Sequence, residues 1–458
     1  MLTSIDPATG ETHATHDEHT SEEVEAFVEE CHARHLTWRR TDFDHRAGVL
    51  RGVADALEAR VDELAELMAA EMGKPVSGGR GEVNKCAWVC RYYADNAEAH
   101  LADVPIDADR VASYLHHEPL GVVLAVMPWN FPLWQVFRFA APALMAGNGA
   151  LLKHASNVTG CSVAIQELFE AGGAPTGLFR SLKIGSPEVE AVLENDLVRA
   201  ATLTGSVPAG RAVAATAGRL LKKTVLELGG SDPSVVLADA DVEAAAKTCA
   251  ASRLINSGQS CIAAKRFVVV DEVHDRFVDA FVAEMNQAVM GDPREESTTV
   301  GPQAQASLRD ELHDQVERSV AEGAELALGG QLPDGPGAYY PPTVLTGVTP
   351  DMVAGDEELF GPVAAVMRAD DEHDAIRIAN HTPFGLGAAV FTQDLAKGER
   401  IAAEELDAGC CFVNDLVASD PRLPFGGVKD SGYGRELSFL GIQEFVNQKT
   451  VVVGPKQT

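Results

Sequence analysis

The sequence predicts an α/β protein with largely parallel sheets, and two observations support this. Helix-like and strand-like segments alternate along most of the chain, which is the pattern of parallel strands covered by helices. Hydrophobic residues make up 46% of the 458 residues, enough for sizeable cores. At roughly 150 residues per domain, this length indicates two or three domains.

The first part of the chain, residues 21–96, is predicted to form successive amphipathic helices. Apolar residues recur there at helical spacing, at positions 53, 57, 61, 64, 67 and 68. Short apolar runs then alternate with helical patterns. The predicted strands span 111–117, 122–126, 150–153, 200–204, 224–228, 267–270 and 450–453, and the predicted helices span 159–171, 241–249 and 276–290.

The charge balance excludes several classes of partner. The chain has 68 acidic and 37 basic residues, and its net charge is −31. Binding to nucleic acid or to an anionic membrane surface needs an excess of Lys and Arg, so we expect neither partner. Such an acidic composition suits a salt-rich cytoplasm, where screening tolerates the charge. An ordinary acidic cytosolic enzyme is the alternative.

Three features of the sequence predict a cytoplasmic protein. The first twenty residues contain no apolar stretch, so we expect no signal peptide. The longest apolar run, near 120–127, is too short to span a bilayer. The eight cysteines form no CxxC pair, which is typical of free thiols in a reducing compartment.

Three segments carry chemically useful side chains. Cys261 ends the Gly- and Ser-rich segment NSGQSC, where a thiol can be exposed to a substrate, although most cysteines are inert core residues. Glu227 lies in the apolar segment LELGG, where desolvation should raise its pKa and favour a general base. Asn130 lies between two prolines in PWNFP and is either an oxyanion donor or part of a rigid turn.

Two further segments complete the set: ELFGP at 358–362, and PFGG at 424–427 followed by SGYGRE at 431–436. In this order and spacing the five segments resemble the NAD(P)-dependent aldehyde dehydrogenase superfamily over residues 5–453. LKHASN at 152–157, ELGGSDP at 227–233, AAKR at 263–266 and ASD at 418–420 resemble its short succinate-semialdehyde dehydrogenase group.

The resemblance implies an aldehyde dehydrogenase-like fold with two Rossmann-like αβ domains and a small β oligomerisation arm. We expect a cofactor-binding domain over 1–228, interrupted by a β-arm near 108–118. A catalytic domain with the nucleophile should cover 229–420. Residues 421–458 should return to the cofactor domain and end in an oligomerisation strand, giving a homodimer or homotetramer.

The resemblance also assigns catalytic roles. Cys261 would attack the aldehyde carbon, and the oxyanion would be held by the Asn130 amide and the Cys261 N–H. Hydride would leave for the nicotinamide and give a thioester, which water activated by Glu227 would hydrolyse. This chemistry needs no metal, and the sequence contains no His/Cys cluster with ligand spacing.

The cofactor residues follow by the same resemblance. Lys153 would contact the adenosine ribose, and Ser156, where many NAD-preferring relatives have Glu, favours NADP while tolerating NAD. Gly205 and Ser206 would open a helix near the pyrophosphate. Glu358 would contact the nicotinamide ribose and Phe360 would pack beside the ring, and Trp129 is a further residue expected to bind the cofactor.

For the substrate, the resemblance implies Arg138 and Ser419 as ligands of the distal carboxylate of succinate semialdehyde. A second Arg found in some relatives is replaced by Ile255, and Arg253 and Arg422 are its possible substitutes. Another short or uncharged aldehyde remains an alternative substrate. Two further functions stay open, namely a cofactor-independent thiol hydrolase using Cys261 and Glu227, and a cofactor-binding protein without catalysis.

Overall fold

The computed structural model describes residues 1–455, so the last three residues of the predicted segment 421–458 lie outside it. Two large, mostly parallel sheets dominate the described residues. A two-stranded hairpin and a three-stranded sheet accompany them. No helix within 1–455 is long and apolar enough to cross a membrane.

The helices alternate with strands after the first hundred residues. The α-helices are α1 Ser21–Trp38, α2 Phe43–Ala59, α3 Val61–Met72, α4 Val76–His100, α5 Trp134–Met145, α6 Thr159–Ala171, α7 Val189–Glu194, α8 Val207–Arg219, α9 Val242–Leu254, α10 Asp271–Met285, α11 Ala306–Ala321, α12 Val353–Asp356, α13 Glu372–Asn380, α14 Leu395–Arg400 and α15 Ser438–Gln443. Short 3₁₀ turns span Ser156–Val158, Ser186–Glu188, Ile255–Gly258 and Lys429–Ser431, and a π turn spans Ile401–Glu405.

The strands are β1 Leu2–Ile5, β2 Thr12–His16, β3 Val104–Pro105, β4 Ala112–Pro119, β5 Val122–Met127, β6 Gly149–His154, β7 Phe179–Ser181, β8 Val198–Thr204, β9 Lys223–Glu227, β10 Pro233–Val236, β11 Arg266–Val270, β12 Glu325–Leu328, β13 Thr343–Thr346, β14 Val363–Ala369, β15 Gly387–Phe391, β16 Cys410–Val413, β17 Gly432–Tyr433 and β18 Val446–Val453.

The first large sheet has the order β17-β9-β8-β5-β6-β7, and all its pairs except β17–β9 are parallel. Its central strand β5 is buried on both faces. Val123 and Ala125 belong to one core and Val122 and Leu124 to another, because successive side chains of a strand point to opposite faces. Helices therefore cover both sides, as in doubly wound folds.

The second large sheet has the order β12-β13-β14-β11-β10-β15-β16, parallel except for β12–β13. Its β11 also divides between two cores, with Val268 facing one and Phe267 facing the other. The strands of the first sheet come from 122–227 and 432–433, and those of the second from 233–413. The domain boundaries at 228 and 420 remain predictions.

The C-terminal strand pairs within its own chain. All eight residues of β18 are in antiparallel register with β4, and β3 pairs with the other edge of β4. The arm predicted near 108–118 is thus part of a three-stranded sheet that joins distant parts of the chain. This pairing leaves the other edge of β18 without a strand neighbour among residues 1–455.

Most predicted elements exist with bounds shifted by a few residues, and the predicted helix at 276–290 shows the largest error. The helix α10 begins at Asp271 and ends at Met285. It starts directly after β11, with Asp271 and Glu272 in its first turn, where acidic side chains favour the helix N-terminus. The following residues leave the helix, and Met290 forms a bridge with Val300.

Candidate active site

The carboxyl ends of the parallel strands bring the predicted site residues together. Asn130 follows β5, Lys153 lies near the end of β6, Gly205 follows β8 and Glu227 ends β9. Strand β5 lies between β6 and β8, so the chain connections leave it in two directions. In open α/β sheets this edge, at such a switch point, is where ligands bind.

The predicted nucleophile lies at the end of a strained loop. Asn256, Ser257 and Gly258 have left-handed backbone conformations, with φ of 53°, 57° and 77°, which non-glycine residues seldom adopt. A Cβ at Gly258 would collide with the Gly361 carbonyl. The Ser257 hydroxyl accepts a hydrogen bond from the Gly301 N–H at 2.9 Å. Contacts with the surrounding residues hold this strained backbone in place, and the loop therefore gives the thiol a fixed position.

The thiol of Cys261 is half-buried, and burial raises its pKa to about 12. The positive charges of Lys265 and Arg138 oppose this increase. The Lys265 ammonium donates a hydrogen bond to the Cys261 carbonyl at 2.6 Å and lies 3.4 Å from the Glu358 carboxylate. The neutral thiol is therefore the resting form, and nearby cations stabilise the thiolate when it forms.

Two N–H donors face the position beside this thiol. The buried Asn130 amide donates one N–H to the Gln259 carbonyl at 3.1 Å, which leaves its second N–H for another acceptor. The Cys261 backbone N–H donates to no acceptor within residues 1–455. Two donors without full partners form a suitable oxyanion site.

Two cavities meet at Cys261. The helix-side cavity has a volume of about 220 Å³, and its walls come from α4, α5 and two loops. The strand-side cavity has a volume of about 230 Å³, and its walls come from the ends of β5, β8 and β9. Both contain Gln135 and Cys261. A thiol placed there can react with one molecule while a second molecule occupies the other cavity.

Besides Cys261, the strand-side cavity contains six of the residues predicted for catalysis and cofactor binding. Trp129, Asn130, Gly205, Ser206, Glu358 and Phe360 all line it. The Trp129 and Phe360 rings meet edge to face with centroids 5.6 Å apart. The Glu358 carboxylate accepts a hydrogen bond from the Gly230 N–H at 3.0 Å, which fixes its orientation.

Two observations show that this edge of the sheet fits a dinucleotide. Helix α8 begins after Ser206 without a side-chain cap, so its free N–H groups and its dipole favour an anion. Lys153 is buried and donates to the Ser186 hydroxyl at 3.3 Å, with no carboxylate in ion-pair contact among the described residues. Burial lowers the pKa of Lys153, which an added phosphate or hydroxyl partner would offset.

Ser156 is half-buried at the start of the 3₁₀ turn after β6. It lines a third cavity of about 640 Å³, together with Thr3, Asn157 and Arg309. It is three residues from Lys153 along the chain, but the two side chains do not line the same cavity. The role of Ser156 toward a 2′-phosphate remains a prediction.

Glu227 lies beside both cavities rather than in their walls. It is 2% exposed, and neither carboxylate oxygen has a hydrogen-bond partner in residues 1–455. Burial raises its pKa well above the ordinary value, Arg138 acts in the opposite direction, and Glu436 adds to the increase. Burial thus favours the neutral form of Glu227, and its ionised form is the one that can act as a base.

Arg138 lines the helix-side cavity, but its charge is already paired. Its guanidinium forms a buried ion pair with Glu436 and lies 4.8 Å above the centre of the Phe425 ring. It also lies 3.4 Å from the Thr204 hydroxyl. Arg138 is therefore a less available anion ligand than the sequence suggested, and its contact with substrate remains a prediction.

Neither possible substitute for the missing second Arg lies in this cavity. Arg253 is fully buried and donates to the Gly258 carbonyl at 2.6 Å, so it supports the nucleophile loop. Arg422 is exposed and paired with Asp420 at 2.6 Å. Ile255 does line the helix-side cavity, so an apolar wall occupies that position.

Sequence reasoning missed two polar residues of the helix-side cavity. Lys85 lies on α4, and its ammonium donates to the Ser419 hydroxyl at 2.9 Å. Gln135, on α5, lies in both cavities. A basic residue inside an otherwise packed helical stripe was the only signal for Lys85.

Within the described part of the chain, no group of three or more His, Cys, Asp or Glu residues is arranged to hold a metal ion.

Comparison with known proteins agrees with this geometry. The chain is 51% identical over 461 residues to the succinate-semialdehyde dehydrogenase (NADP(+)) of Mycobacterium avium (strain 104), covering 100% of this chain and 98% of that protein. The crystal structure of succinic semialdehyde dehydrogenase from Streptococcus pyogenes in complex with NADP+ has a TM-score of 0.97 and 38% identity, covering 99% of this chain and 100% of that one.

A crystal structure of an NAD-dependent aldehyde dehydrogenase from Sinorhizobium meliloti has a TM-score of 0.95 and 33% identity, covering 100% of this chain and 92% of that one. The sequence pattern of the aldehyde dehydrogenase family matches residues 1–451. This range includes both large sheets and every residue that lines the two cavities. The chain therefore belongs to the aldehyde dehydrogenase family.

Proposed function

We propose that this aldehyde dehydrogenase oxidises succinate semialdehyde to succinate with NADP+. The observation that carries the proposal is the position of Cys261 where two cavities meet. One cavity suits an aldehyde and the other a nicotinamide. The relative from Mycobacterium avium is a succinate-semialdehyde dehydrogenase (NADP(+)), and the one from Streptococcus pyogenes was solved with NADP+.

The first step is attack of the Cys261 sulfur on the aldehyde carbon. The thiol gives its proton to solvent water as the C–S bond forms, and the carbonyl oxygen becomes an alkoxide. Lys265 and Arg138 stabilise the thiolate, while the Asn130 amide and the Cys261 N–H donate to the alkoxide. Loss of one such donor typically lowers the rate by roughly 10²–10³.

The strand-side cavity would hold NADP+, which would supply the acceptor for the hydride of the carbon bound to the thiol. Trp129 and Phe360 line this cavity and pack edge to face. Glu358 lies in its wall, held by the Gly230 N–H. These side chains would keep the ring in one orientation beside the thiol.

Hydrolysis of the thioester needs an activated water. Glu227 is the base for this step because it is buried, unpartnered among residues 1–455 and close to the site. Its raised pKa brings it nearer to the working pH, where a general base is most effective. In its ionised form Glu227 takes a proton from the water, the water oxygen bonds to the acyl carbon, and the Cys261 sulfur leaves as a thiolate.

Lys153 supports the preference for NADP. It is a buried cation without a carboxylate in ion-pair contact among residues 1–455. It lies at the same edge of the sheet as the start of helix α8, which can receive a pyrophosphate. The neutral Ser156 does not repel a 2′-phosphate. NAD would still bind, since the remaining contacts are common to both cofactors.

For the substrate, Arg138 and Ser419 line the helix-side cavity together with Cys261. A carboxylate at the far end of a short aldehyde would meet the Ser419 hydroxyl, and Arg138, which is already paired with Glu436, would be the weaker of these two donors. The cavity walls also include Ile255, Phe131 and Trp134, which suit the methylene groups of the chain.

We also propose a homodimer or homotetramer. The free edge of β18 has a β-prone apolar sequence, and Val452 and Val453 are exposed. Exposed edges of this kind attract further strands. Removal of residues after Asn447 should cause dissociation or aggregation in analytical ultracentrifugation, whereas unchanged sedimentation of an active truncated protein would argue against the proposal.

The proposed activity is tested by the absorbance of reduced nicotinamide. Purified protein is mixed with succinate semialdehyde or a panel of neutral aldehydes, with NADP+ or NAD+. We expect the highest kcat/KM for succinate semialdehyde with NADP+. Cleavage of an activated ester such as 4-nitrophenyl acetate, with no cofactor reduction by any aldehyde, would favour the thiol hydrolase. A higher kcat/KM for a neutral aldehyde would overturn the proposed substrate.

A further inference from the structure

The helix-side cavity contains a second cation that the roles above do not use. Lys85, on α4, lines this cavity together with Cys261. Its ammonium donates to the Ser419 hydroxyl at 2.9 Å and lies 4.4 Å from the centre of the Trp134 ring. One N–H of the ammonium and one ring face therefore hold it in place, and two N–H groups remain for other acceptors.

No carboxylate in residues 1–455 lies in ion-pair contact with Lys85. The nearby Glu82 is occupied by a buried ion pair with Lys74, and it accepts the backbone N–H groups of Leu133 and Trp134 at 2.8 and 2.9 Å. Asp420 is engaged by Arg422. The Lys85 charge is therefore uncompensated inside a largely apolar cavity, which costs free energy unless an anion joins it.

Arg138 differs from Lys85 in this respect. It is the other cation of the cavity, and Glu436 already neutralises it in a buried ion pair. An anion that approached Arg138 would also approach the Glu436 carboxylate, which is in ion-pair contact with Arg138. Attraction and repulsion would then largely cancel.

The hydroxyl of Ser419 supports the same position. Its oxygen accepts N–H groups from Lys85 at 2.9 Å and from Trp134 at 3.1 Å. With these two bonds the oxygen lone pairs are used, and its own O–H has no acceptor among the described residues. The Ser419 hydroxyl is thus prepared to donate to a ligand beside the Lys85 ammonium.

We propose that Lys85 is the residue that selects an anionic aldehyde, binding the distal carboxylate together with the Ser419 hydroxyl. This inference rests on the proposed succinate semialdehyde activity and adds a specificity-determining residue to it. Arg138, paired with Glu436, would then contribute mainly to the shape of the cavity and to the environment of Glu227. When the substrate binds, its carboxylate would pair with the Lys85 ammonium and offset the free-energy cost of burying that charge without a partner.

The pH dependence follows from the same contacts. Burial lowers the pKa of Lys85 to about 8, and Arg138 adds to the decrease, while Cys86, Glu82 and Asp420 oppose it. Only the protonated amine attracts a carboxylate. In the free enzyme the KM for succinate semialdehyde should therefore rise as the pH passes above about 8.

Methyl 4-oxobutanoate provides the matched neutral substrate, because it differs from succinate semialdehyde only by esterification of the carboxylate. The measured quantity is the ratio of kcat/KM for the acid to kcat/KM for the ester. In Lys85→Met this ratio should fall at least about thirtyfold, mainly through the KM for the acid. Lys85→Arg should restore part of it, and Lys247→Met, at an exposed position on α9, should keep the ratio of the unmodified enzyme.

The outcomes separate the two proposals. If the unmodified enzyme shows no preference for the acid over the ester, the proposed substrate fails and Lys85 has no anion to select. If the unmodified enzyme prefers the acid and Lys85→Met keeps that preference, only the role of Lys85 is wrong. Should Lys85→Met fail to fold, the pH profile decides. The inference predicts that the KM for the acid rises between about pH 7 and pH 9, on either side of the Lys85 pKa of about 8. A KM that stays constant over this range would overturn it.

Discussion

The two cavities that meet at Cys261 differ in how their polar groups are supplied. In the strand-side cavity, apart from the shared Gln135 and Cys261, they lie at or follow the ends of β5, β8 and β9 or belong to the ELFGP segment. In the helix-side cavity they are single side chains on α4 and α5 and on the loop that contains Ser419. The sheet fixes the positions of the strand ends. The side chains that a helix directs into a cavity depend instead on which of its faces is turned toward that cavity. We therefore expect the catalytic and cofactor-binding groups to lie mainly on strand ends and loops, and the residues that select the substrate to lie on helix faces.

The largest effect should come from the residue that both cavities have in common. Cys261→Ala removes the atom that bonds to the aldehyde carbon, so oxidation should fall to less than about 1%. Cofactor binding, measured by fluorescence titration, should be nearly unchanged because the thiol is not its main anchor. Cys411→Ala, in the edge strand β16, is the matched control and should keep its activity. More than a few percent of residual activity, measured as about 3% or above, would mean that another group is the nucleophile.

Next in size is the change at Glu227, which acts after the hydride has left. Glu227→Gln should give a burst of reduced cofactor and then slow turnover, about 10²–10⁴ below the unmodified enzyme. Rapid mixing with substoichiometric enzyme separates the two phases. A steady state of normal rate from the first turnover onward would remove Glu227 from the mechanism.

The same variant should be more stable at neutral pH. The pKa of Glu227 is raised in the folded protein, whereas in the unfolded chain it is about 4.3. As the pH rises above that value, the unfolded chain loses the proton and the folded protein keeps it, so Glu227 lowers the free energy of unfolding. Gln does not titrate, so the Tm should be about 1–3 °C higher at pH 7, and the difference should disappear below about pH 4.

The same contrast explains what could be predicted from the sequence. The NSGQSC, LELGG and PWNFP segments were recognisable because each fixes its own backbone, through prolines, glycines or a strand end. Lys85 and Gln135 were not recognised, because the helical pattern shows which residues lie on one face and not which face meets a cavity. The pair of Arg138 with Glu436 was also hidden, since it joins α5 to a loop that comes almost three hundred residues later.

The fold was predictable to a similar extent. Alternating helices and strands indicated two parallel sheets, and the strands β5, β6, β8 and β9 were found within two residues of their bounds. The start of α10 was misplaced because β11 passes into it without a loop, so no turn residue marks the boundary. Short strands such as β7 and β16 were missed because three or four residues show no clear period.

The third prediction concerns the cation of the helix-side cavity that is already paired. Arg138→Gln leaves Glu436 buried without its partner, which should lower the free energy of unfolding by about 3–5 kcal/mol. Activity should then fall for charged and neutral aldehydes alike. The double variant Arg138→Gln with Glu436→Gln should recover most of the stability. If it recovers stability but still loses only the acid substrate by more than about tenfold, Arg138 does bind the carboxylate directly.

The smallest effect should come from the cofactor side, at Ser156. In Ser156→Glu the new carboxylate would accept the ribose 2′-hydroxyl of NAD and repel the 2′-phosphate of NADP. Ser156 is half-buried and borders an open cavity, so we expect a change of about tenfold in the ratio of kcat/KM for the two cofactors. The KM for succinate semialdehyde should stay the same, because the substitution is outside the helix-side cavity. A ratio that does not move would show that Ser156 is not near the 2′-position, and the NADP preference would then depend on Lys153 and the α8 N-terminus.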